Sequence, residues 1–190
     1  MTITTTKFNT LTTDRLYQIL QLREKVFVLE QACLYKDLDD IDQRSFHSYI
    51  EMDGKIAAYA RTYWKDESKK IAQIGRVVVD PDYRRKRYGS NIMHTGIEIA
   101  VDRLQADWVY IEAQVYAIPF YERLGFKVTS EEFLEDGIPH VQMMLELQCN
   151  TKPLSKRAKC PECGSTYKNL RKYYDGEIMC LKCYHRFTQN

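Results

Sequence analysis

The chain contains no run approaching the roughly 20 apolar residues that a membrane helix requires, and its opening Met1–Lys7 carries no basic segment followed by an apolar one. Both absences predict a cytoplasmic protein. Common phosphate-binding signatures are missing as well: neither Gly-x-x-x-x-Gly-Lys-Ser/Thr nor Gly-x-Gly-x-x-Gly occurs in the 190 residues, which excludes a Walker loop and a dinucleotide fingerprint. The acidic run Asp37–Asp42 fails as a calcium loop, because its sixth position is Asp42 rather than Gly and its twelfth is Ser48 rather than Glu. No internal repeat is present. Four of the six cysteines fall in two Cys-x-x-Cys pairs, which in a reducing compartment read as metal ligands rather than disulfides. Cys33 and Cys149 are left to pack as small hydrophobes.

What is present divides near residue 150. Residues 151–190 hold nine Lys/Arg against three Asp/Glu, so the formal net charge of +2 conceals an acidic first part with 19 basic and 23 acidic residues. Asn150–Lys159, with Pro153, Ser155 and several basic residues, lacks apolar periodicity and reads as a linker. The expected organisation is a domain with its own core at residues 1–149, a linker at 150–158 and a small appendage at 159–190.

Apolar periodicity gives the first part a mixed order of elements. Ile3–Phe8 reads as a short strand, and Thr12 and Thr13 can cap a helix through Glu30, with Leu16, Ile19, Leu20, Arg23 and Phe27 at helical spacing. Phe46–Met52 and Lys55–Trp64 read as a hairpin about Asp53-Gly54. The strand Ile71–Val79 then ends at Asp80-Pro81. A basic loop, Tyr83–Tyr88, leads to a helix opened by Gly89 and lined by Ile92, Met93, Ile97 and Ala100. Trp108–Ala113 reads as a strand, and Ala117–Leu124 as a short helix stopped at Gly125 by a left-handed cap. Phe126–Thr129 and Val141–Leu147 complete the strands. This order predicts an α/β (α+β) fold, a mixed and mainly antiparallel sheet flanked by helices.

Chemistry concentrates in Ile74–Ser90, where a strand delivers Arg84-Arg85-Lys86-Arg87-Tyr88 to a helix start at Gly89-Ser90. Amide N–H groups at a helix N-terminus point at an anion, the macrodipole favours negative charge, and glycine permits close approach. A solvated basic turn before an ordinary helix accounts for the same residues. The second informative segment, Gln114–Phe126, contains Ala117, Tyr121, Glu122, Gly125 and Phe126. Together the two resemble the GNAT superfamily of acetyltransferases, in which an Arg/Gln-x-x-Gly-x-Gly/Ala loop binds the coenzyme pyrophosphate and an Ala-x-x-x-Tyr-Glu-x-x-Gly-Phe stretch closes the site. Arg84 and Gly89 match the first pattern, but Arg87 stands where the family usually has its first glycine, and arginine resists positive φ. Leu22-Arg23, Val26-Phe27-Val28, Glu30-Gln31, Tyr35-x-Asp37-x-Asp39, Ala58-Tyr59-Ala60-Arg61, Ile74-Gly75-Arg76-Val77 and Glu135-Asp136-Gly137-Ile138-Pro139-His140 are similar to the ElaA-like branch, bacterial proteins of unassigned substrate.

The resemblance implies an acetyl-CoA-dependent N-acetyltransferase in which a primary amine attacks the thioester directly. Val77, Val78 and Val79 would pair with the pantetheine arm, and a backbone N–H near Val78 or Val79 would sit by the thioester oxygen, an interaction worth ~3 kcal/mol. Arg84, Arg85, Lys86, Arg87, Tyr88, Gly89 and Ser90 would hold the pyrophosphate. Tyr121 matches the tyrosine that protonates the departing sulfur, with a packed core aromatic as the alternative. His140 is the candidate base, since imidazole titrates near neutrality, and a structural histidine is the alternative. Glu112 could serve if burial raised its pKa, with pairing to Arg76 as the plainer reading. Glu30 and Gln31 fall where the family has its substrate cleft. Asp37, Asp39, Asp40 and Asp42 could draw in a cationic amine or form a solvated loop. A contrasting function is an acyl-CoA-binding module, associated with nucleic acid or the ribosome, without turnover.

At the C-terminal end, Cys160-Pro-Glu-Cys163 and Cys180-Leu-Lys-Cys183 stand sixteen residues apart, the spacing of a four-cysteine zinc ribbon. Each pair can present two sulfurs at about 2.3 Å to a tetrahedral ion, and a closed four-thiolate site is structural. Asp175-Gly176 supplies a hairpin turn between the pairs. The surplus of Lys and Arg, with Tyr167, Tyr173, Tyr174 and Tyr184 among them, suits nucleic acid or a protein partner equally. The sequence leaves a homodimer open.

Overall fold

The computed structural model describes residues 2–32 and 36–147, and the backbone of 170–172 and 178–180. The chain divides into two compact units, Met1–Leu145 and Glu146–Asn190. In the first, β1 (Thr2–Lys7), β2 (Phe46–Met52), β3 (Lys55–Asp66), β4 (Ile71–Val79), β5 (Trp108–Gln114), β8 (Ile138–Glu146) and β6 (Lys127–Val128) lie side by side in that order, and β7 (Phe133–Glu135) pairs with β8. The ladders β1–β2, β2–β3, β3–β4, β6–β8 and β7–β8 are antiparallel, and β4–β5 is parallel. The Asp53-Gly54 turn has φ of +52° and +76° and joins Met52 to Lys55 in register, the two-residue geometry that matches strand twist.

Two helices cover opposite faces of the sheet centre. From α1 (Thr13–Arg23), Ile19 and Leu22 pack with Tyr49, Tyr59 and Val78. Thr62 lies on the other side of β3, against α2 (Tyr88–Asp102), as strand alternation requires. There a Cβ added at Gly96 would come within 2.8 Å of Ile74 Cδ1 and 3.2 Å of Thr62 Oγ1, so the close approach of α2 to β3 and β4 depends on that glycine. Thr12 Oγ1 accepts a hydrogen bond from Arg15 N at 3.3 Å and caps α1. The expected single helix through Glu30 does not persist in α form. At Glu24–Glu30 it widens to a π-helix, closed by Gln31 N donating to Val26 O at 3.0 Å. The extra residue in that turn keeps Arg23 and Val26 buried and brings Phe27 and Gln31 to a cavity wall.

Two irregularities of β4 shape the molecule. Between Arg61 and Tyr59 of β3, β4 advances from Gly75 to Val78, one residue too many. Arg76 absorbs the excess as a bulge at φ +54°. On its other edge β4 pairs with β5 only from Ile71↔Trp108 to Gln73↔Tyr110, although β4 continues to Val79 and β5 to Gln114. The strands therefore splay.

A buried ion network holds the bulge. Asp42 accepts two bonds from Arg23 Nη1, at 2.9 and 3.0 Å, and one from Arg61 Nη1 at 2.8 Å. Asp39 accepts from Arg61 at 2.8 Å and from Arg76 Nη2 at 3.2 Å. Asp37 accepts from Arg23 Nε at 2.9 Å and Arg76 Nε at 2.7 Å, while its carbonyl takes a further bond from Arg23 Nη2 at 2.8 Å. The Arg23 and Arg61 side chains are 0% and 1% exposed. Asp37, Asp39 and Asp42 thus do not form the solvated loop that a reading of the run by itself suggests; only Asp40 lies well outside, 82% exposed beside Lys36. Beneath the network, His47 Nε2 donates to Asp42 O at 2.9 Å, leaving Nδ1 to accept from Tyr59 OH at 2.8 Å.

In the second unit, β9 (Leu170–Lys172) and β10 (Ile178–Cys180) pair antiparallel, Leu170 opposite Cys180. The linker, Cys33, Cys149, Cys160, Cys163 and Cys183 lie outside the described residues, and so does the nucleic-acid or protein contact expected of the ribbon. Among the described residues no helix is long and apolar enough to cross a membrane.

Removing one partner from a buried charge cluster strands the others, at a cost of about 3–5 kcal/mol. Asp42→Asn, which withdraws the carboxylate shared by Arg23 and Arg61, is therefore expected to lower stability by about 3 kcal/mol in urea unfolding; a change below about 1 kcal/mol would contradict the network's role.

Candidate active site

The splay between β4 and β5 opens onto a cavity of about 420 Å³. Gln73, Ile74, Gly75, Arg76 and Val77 of β4 form one wall, and Ile111, Glu112 and Gln114 of β5 the other. Phe27 and Gln31 enter from the π turn, Tyr116, Ala117 and Tyr121 from the segment after β5, and Glu135, Asp136, Ile138 and His140 from the β7–β8 hairpin. Of the residues singled out in sequence, Val77, Gln31, Glu112, Tyr121 and His140 share this space. Val78 faces the opposite way, buried against α1. Glu30 and Gln31 diverge: Gln31 Oε1 accepts from Gln114 Nε2 at 3.2 Å across the cavity, whereas Glu30 reaches the basic loop.

Tyr121 sits on α3 (Ile118–Glu122), edge-on to Phe120 at 4.9 Å and to Phe126 at 6.1 Å between ring centroids. Burial, with Tyr116 adding to it, pushes its phenol far above the usual range, so the hydroxyl keeps its proton at neutral pH and can donate it. His140 is 9% exposed, and its ring stacks on Phe133 with centroids 6.2 Å apart. Its Nδ1 lies 2.8 Å from Ile138 O. A carbonyl can only accept, so Nδ1 carries the proton and Nε2 presents a lone pair. Glu135 Oε2 stands 3.9 Å from Nε2, beyond hydrogen-bond range. Glu112 Oε1 accepts from Tyr110 OH at 2.7 Å and Oε2 from Gln73 Nε2 at 3.3 Å. Arg76, proposed from sequence as its partner, is held by Asp37 and Asp39.

At the other end of β4 the loop keeps the backbone of the glycine-bearing pattern. Arg87 is left-handed, φ +60° and ψ 11°, as the N-cap of α2, and Arg85 is at φ +64°. The predicted resistance of arginine to this region does not divert the chain; it is a strain of about 1–2 kcal/mol per residue. Asn91 N donates to Arg87 O at 3.0 Å and so opens the hydrogen-bond ladder of α2, which leaves the preceding amides of the first turn for a ligand. Arg84 spans Val79 O, at 3.3 Å, and the Glu30 carboxylate, gripped through both Nη atoms at 2.8 and 2.7 Å. Lys25 anchors the π turn to Asp80 at 2.9 and 3.0 Å. Splayed strand, guanidinium fork and helix terminus make a fit for the extended arm and diphosphate of a coenzyme.

A family model for the acetyltransferase (GNAT) domain matches residues 13–147. The chain belongs to the GNAT acetyltransferases. As a GNAT protein it is an acyltransferase, and its fold implies acetyl-CoA as co-substrate. It is 43% identical over 142 residues to a UPF0039 protein of Schizosaccharomyces pombe, covering 74% of this chain and 93% of that one. To the protein ElaA of Escherichia coli it is 35% identical over 139 residues, 72% and 91% of the two chains. The crystal structure of Escherichia coli ElaA superposes with a TM-score of 0.72 at 33% identity over 76% of this chain and 99% of that one. An acyl-CoA N-acyltransferase from Pseudomonas aeruginosa gives 0.70 at 35% identity over 76% and 98%.

What sequence reasoning missed are roles that come from distant partners: those of Arg23, Arg61 and Arg76 in the network, and of Glu135 and Asp136 in the cavity wall. Glu30 offers Arg84 the two oxygens that a phosphate would offer. Both side chains are about two-fifths exposed, where such a pair contributes roughly 0–1 kcal/mol. Releasing the fork by Glu30→Gln is expected to tighten acetyl-CoA binding about two- to fivefold by calorimetry; weaker binding would mean that Glu30 supports the coenzyme site rather than competing for it.

Proposed function

We propose that this GNAT enzyme transfers an acetyl group from acetyl-CoA to a primary amine by direct attack, with Tyr121 as acid and His140 as base. The observation that carries the reading is that a protonated phenol and an imidazole lone pair, at Tyr121 and at His140 Nε2, line one cavity beside the splayed edge of β4. Acetyl-CoA supplies the acetyl as a thioester. Arg84, Arg85, Lys86 and Arg87, with the amides of Tyr88, Gly89 and Ser90, hold its diphosphate. The β4 edge at Val77–Val79 orients the arm and offers an N–H to the charge developing on the carbonyl oxygen. His140 Nε2 takes the proton that the amine nitrogen must lose as its bond to carbon forms. Tyr121 gives a proton to the departing sulfur, and both residues recover their resting states through solvent. Gln31, at the cavity wall, contacts the acceptor; Glu30 acts on the loop through Arg84.

Thiol release with acetyl-CoA and a panel of amines tests the assignments. Tyr121→Phe is expected to lower kcat about 10²-fold while leaving acetyl-CoA affinity within about twofold. A variant as fast as the parent would remove Tyr121 from the chemistry. His140→Gln should likewise lower kcat, and a variant as fast as the parent would remove His140 as the base.

The appended unit we read as a zinc ribbon. Support comes from the two Cys-x-x-Cys pairs and from the antiparallel pairing of β9 with β10, which lies between the first pair and the second and ends at Cys180. Residues 1–149, 150–158 and 159–190 are then catalytic domain, linker and ribbon. Elemental analysis of the purified full chain is expected to give one zinc per chain, lost in the Cys160→Ser/Cys183→Ser double variant. Metal-free wild-type protein, or a variant that keeps its zinc, would refute the ribbon.

A further inference from the structure

One face of β3 contributes Arg61, Tyr63 and Lys65, three alternate residues, to the cavity wall. Tyr63 brings a polar group that the fold itself does not use. It is 5% exposed, and its hydroxyl makes no hydrogen bond among the described residues. The ring is held in place by two guanidiniums, those of Arg44 and Arg61, each 5.6 Å from its centroid. Burial pushes the phenol up to about 12, so the proton stays on at neutral pH. A buried O–H left this way calls for an acceptor from outside the chain.

The cavity wall has a notch at that hydroxyl. In the β3–β4 ladder Gly75 stands opposite Arg61, and Gln73 opposite Tyr63. A Cβ added at Gly75 would lie 3.7 Å from Tyr63 Cε1, 3.8 Å from Arg61 Nε and 3.9 Å from Tyr63 OH. The missing methyl therefore leaves space for one small group beside two donors. Arg61 Nε is itself buried without a hydrogen-bond partner among the described residues, since the bonds of Arg61 to Asp39 and Asp42 run through its Nη atoms. A guanidinium nitrogen only donates, and the phenol keeps its proton, so the notch suits an oxygen that accepts. Glu112, Glu135 and Asp136 line the same cavity, which disfavours an anionic oxygen.

Position along the sheet separates this notch from the coenzyme. Tyr63 is in register with Gln73, where the β4–β5 ladder still holds, whereas the coenzyme arm and diphosphate belong to the open end, at Val77–Val79 and the basic loop. From Gly75 to Val77 is a step of two residues, at most about 7 Å, within reach of a short chain between a reacting nitrogen and an oxygen. We infer that Tyr63 is a specificity-determining residue whose hydroxyl donates to an uncharged oxygen, a hydroxyl or an amide carbonyl, carried by the acceptor amine about three carbons from its reacting nitrogen. The inference rests on the acetyltransferase reading and deepens it to an acceptor class, amino alcohols and amino amides. A plain alkylamine leaves the phenol without an acceptor, and such a mismatch is how a polar site rejects an apolar analogue.

The test uses the full chain with acetyl-CoA and two pairs of amines: propanolamine with its hydroxyl on the terminal carbon against butylamine, and β-alaninamide against isopentylamine. Each pair sets an oxygen-bearing end against methyl groups of similar shape. Basicity differs within a pair, and that difference cancels when a variant is compared with its parent. Tyr63→Phe removes only the hydroxyl. It is expected to cut the kcat/KM preference for the oxygen-bearing amine at least about fivefold, mainly through KM, with acetyl-CoA affinity held within about twofold. Gly75→Ala fills the notch at ordinary contact distances and should cut the preference at least about threefold, which keeps the test sound should the first variant fold poorly. A drop in the first pair alone identifies a hydroxyl and in the second alone a carbonyl, and either supports the proposal. A preference that neither variant lowers in either pair overturns it, and so does a Tyr63→Phe variant that loses acetyl-CoA affinity instead. Calorimetry on the chain saturated with CoA separates the notch from the reading beneath. Tighter binding of the oxygen-bearing amines that Tyr63→Phe abolishes, without turnover, would keep the notch and sink only the transferase reading. Binding that the variant leaves unchanged sinks the notch.

Discussion

Six buried or half-buried charges, three guanidiniums and three carboxylates, fix the part of the sheet on which the active site depends. Arg23 arrives from the end of α1, Arg61 from β3 and Arg76 from the bulge of β4, and all three close on Asp37, Asp39 and Asp42 of one loop. Taking such groups out of water is costly, and only near-complete pairing offsets the cost. No member can be satisfied alone. The helix must end where Arg23 points inward, the loop must fold back over β3, and β4 must hold a non-glycine residue at φ +54°. Burial acts against the charged form of Asp39, yet the Arg61 hydrogen bonds and charge outweigh it and hold the carboxyl down at about 2. Asp39 thus stays ionised throughout the range in which an amine acetyltransferase works.

The bulge has a consequence for chemistry because it lies on the strand that also opens. After Gln73 and Tyr110 the ladder between β4 and β5 stops, and the β4 edge that a neighbouring strand would normally cover faces a cavity instead. Backbone groups left this way are fixed dipoles, already ordered before any substrate arrives, so their stabilisation of developing charge requires no reorganisation. Arg76 serves both levels: its backbone makes the extra residue fit, and its side chain ties that residue to the loop beneath. The bulge and the strand opening thus lie side by side at the cavity.

Sequence carries the local devices and misses the long-range ones. The Asp53-Gly54 hairpin is readable because a two-residue turn with both φ positive strongly prefers those residues. The basic loop before α2 and the tyrosine after β5 are readable from pattern and resemblance. Arg23 falls within the apolar spacing of α1 with its charge unexplained, since its partners lie 14 and 19 residues away. Asp37, Asp39 and Asp42 look solvated for the same reason: a run of like charge shows no counter-ions until strands 20 to 40 residues distant are folded beside it. The π turn is invisible because one additional residue per turn leaves the apolar spacing nearly intact. Strand β7 is three residues long, too short for alternation to register, yet it brings Glu135 to the cavity.

Arg87 shows how the site can tolerate a residue that its loop geometry disfavours. The turn from β4 into α2 sets a left-handed conformation at that position, whatever side chain is there, and arginine accepts it at about 1–2 kcal/mol. A second cost is electrostatic, because Arg84, Arg85, Lys86 and Arg87 crowd cations at a helix N-terminus whose dipole already favours anions. Glu30 relieves part of this by bridging to Arg84. A diphosphate would relieve more, supplying two negative groups to the same donors and to the amides behind them. The conformational strain is common to the free and the occupied loop, whereas the charge repulsion is felt most in the free one. Arginine in place of glycine therefore adds both strain and repulsion to the empty loop, and only the repulsion is one that a diphosphate there would relieve.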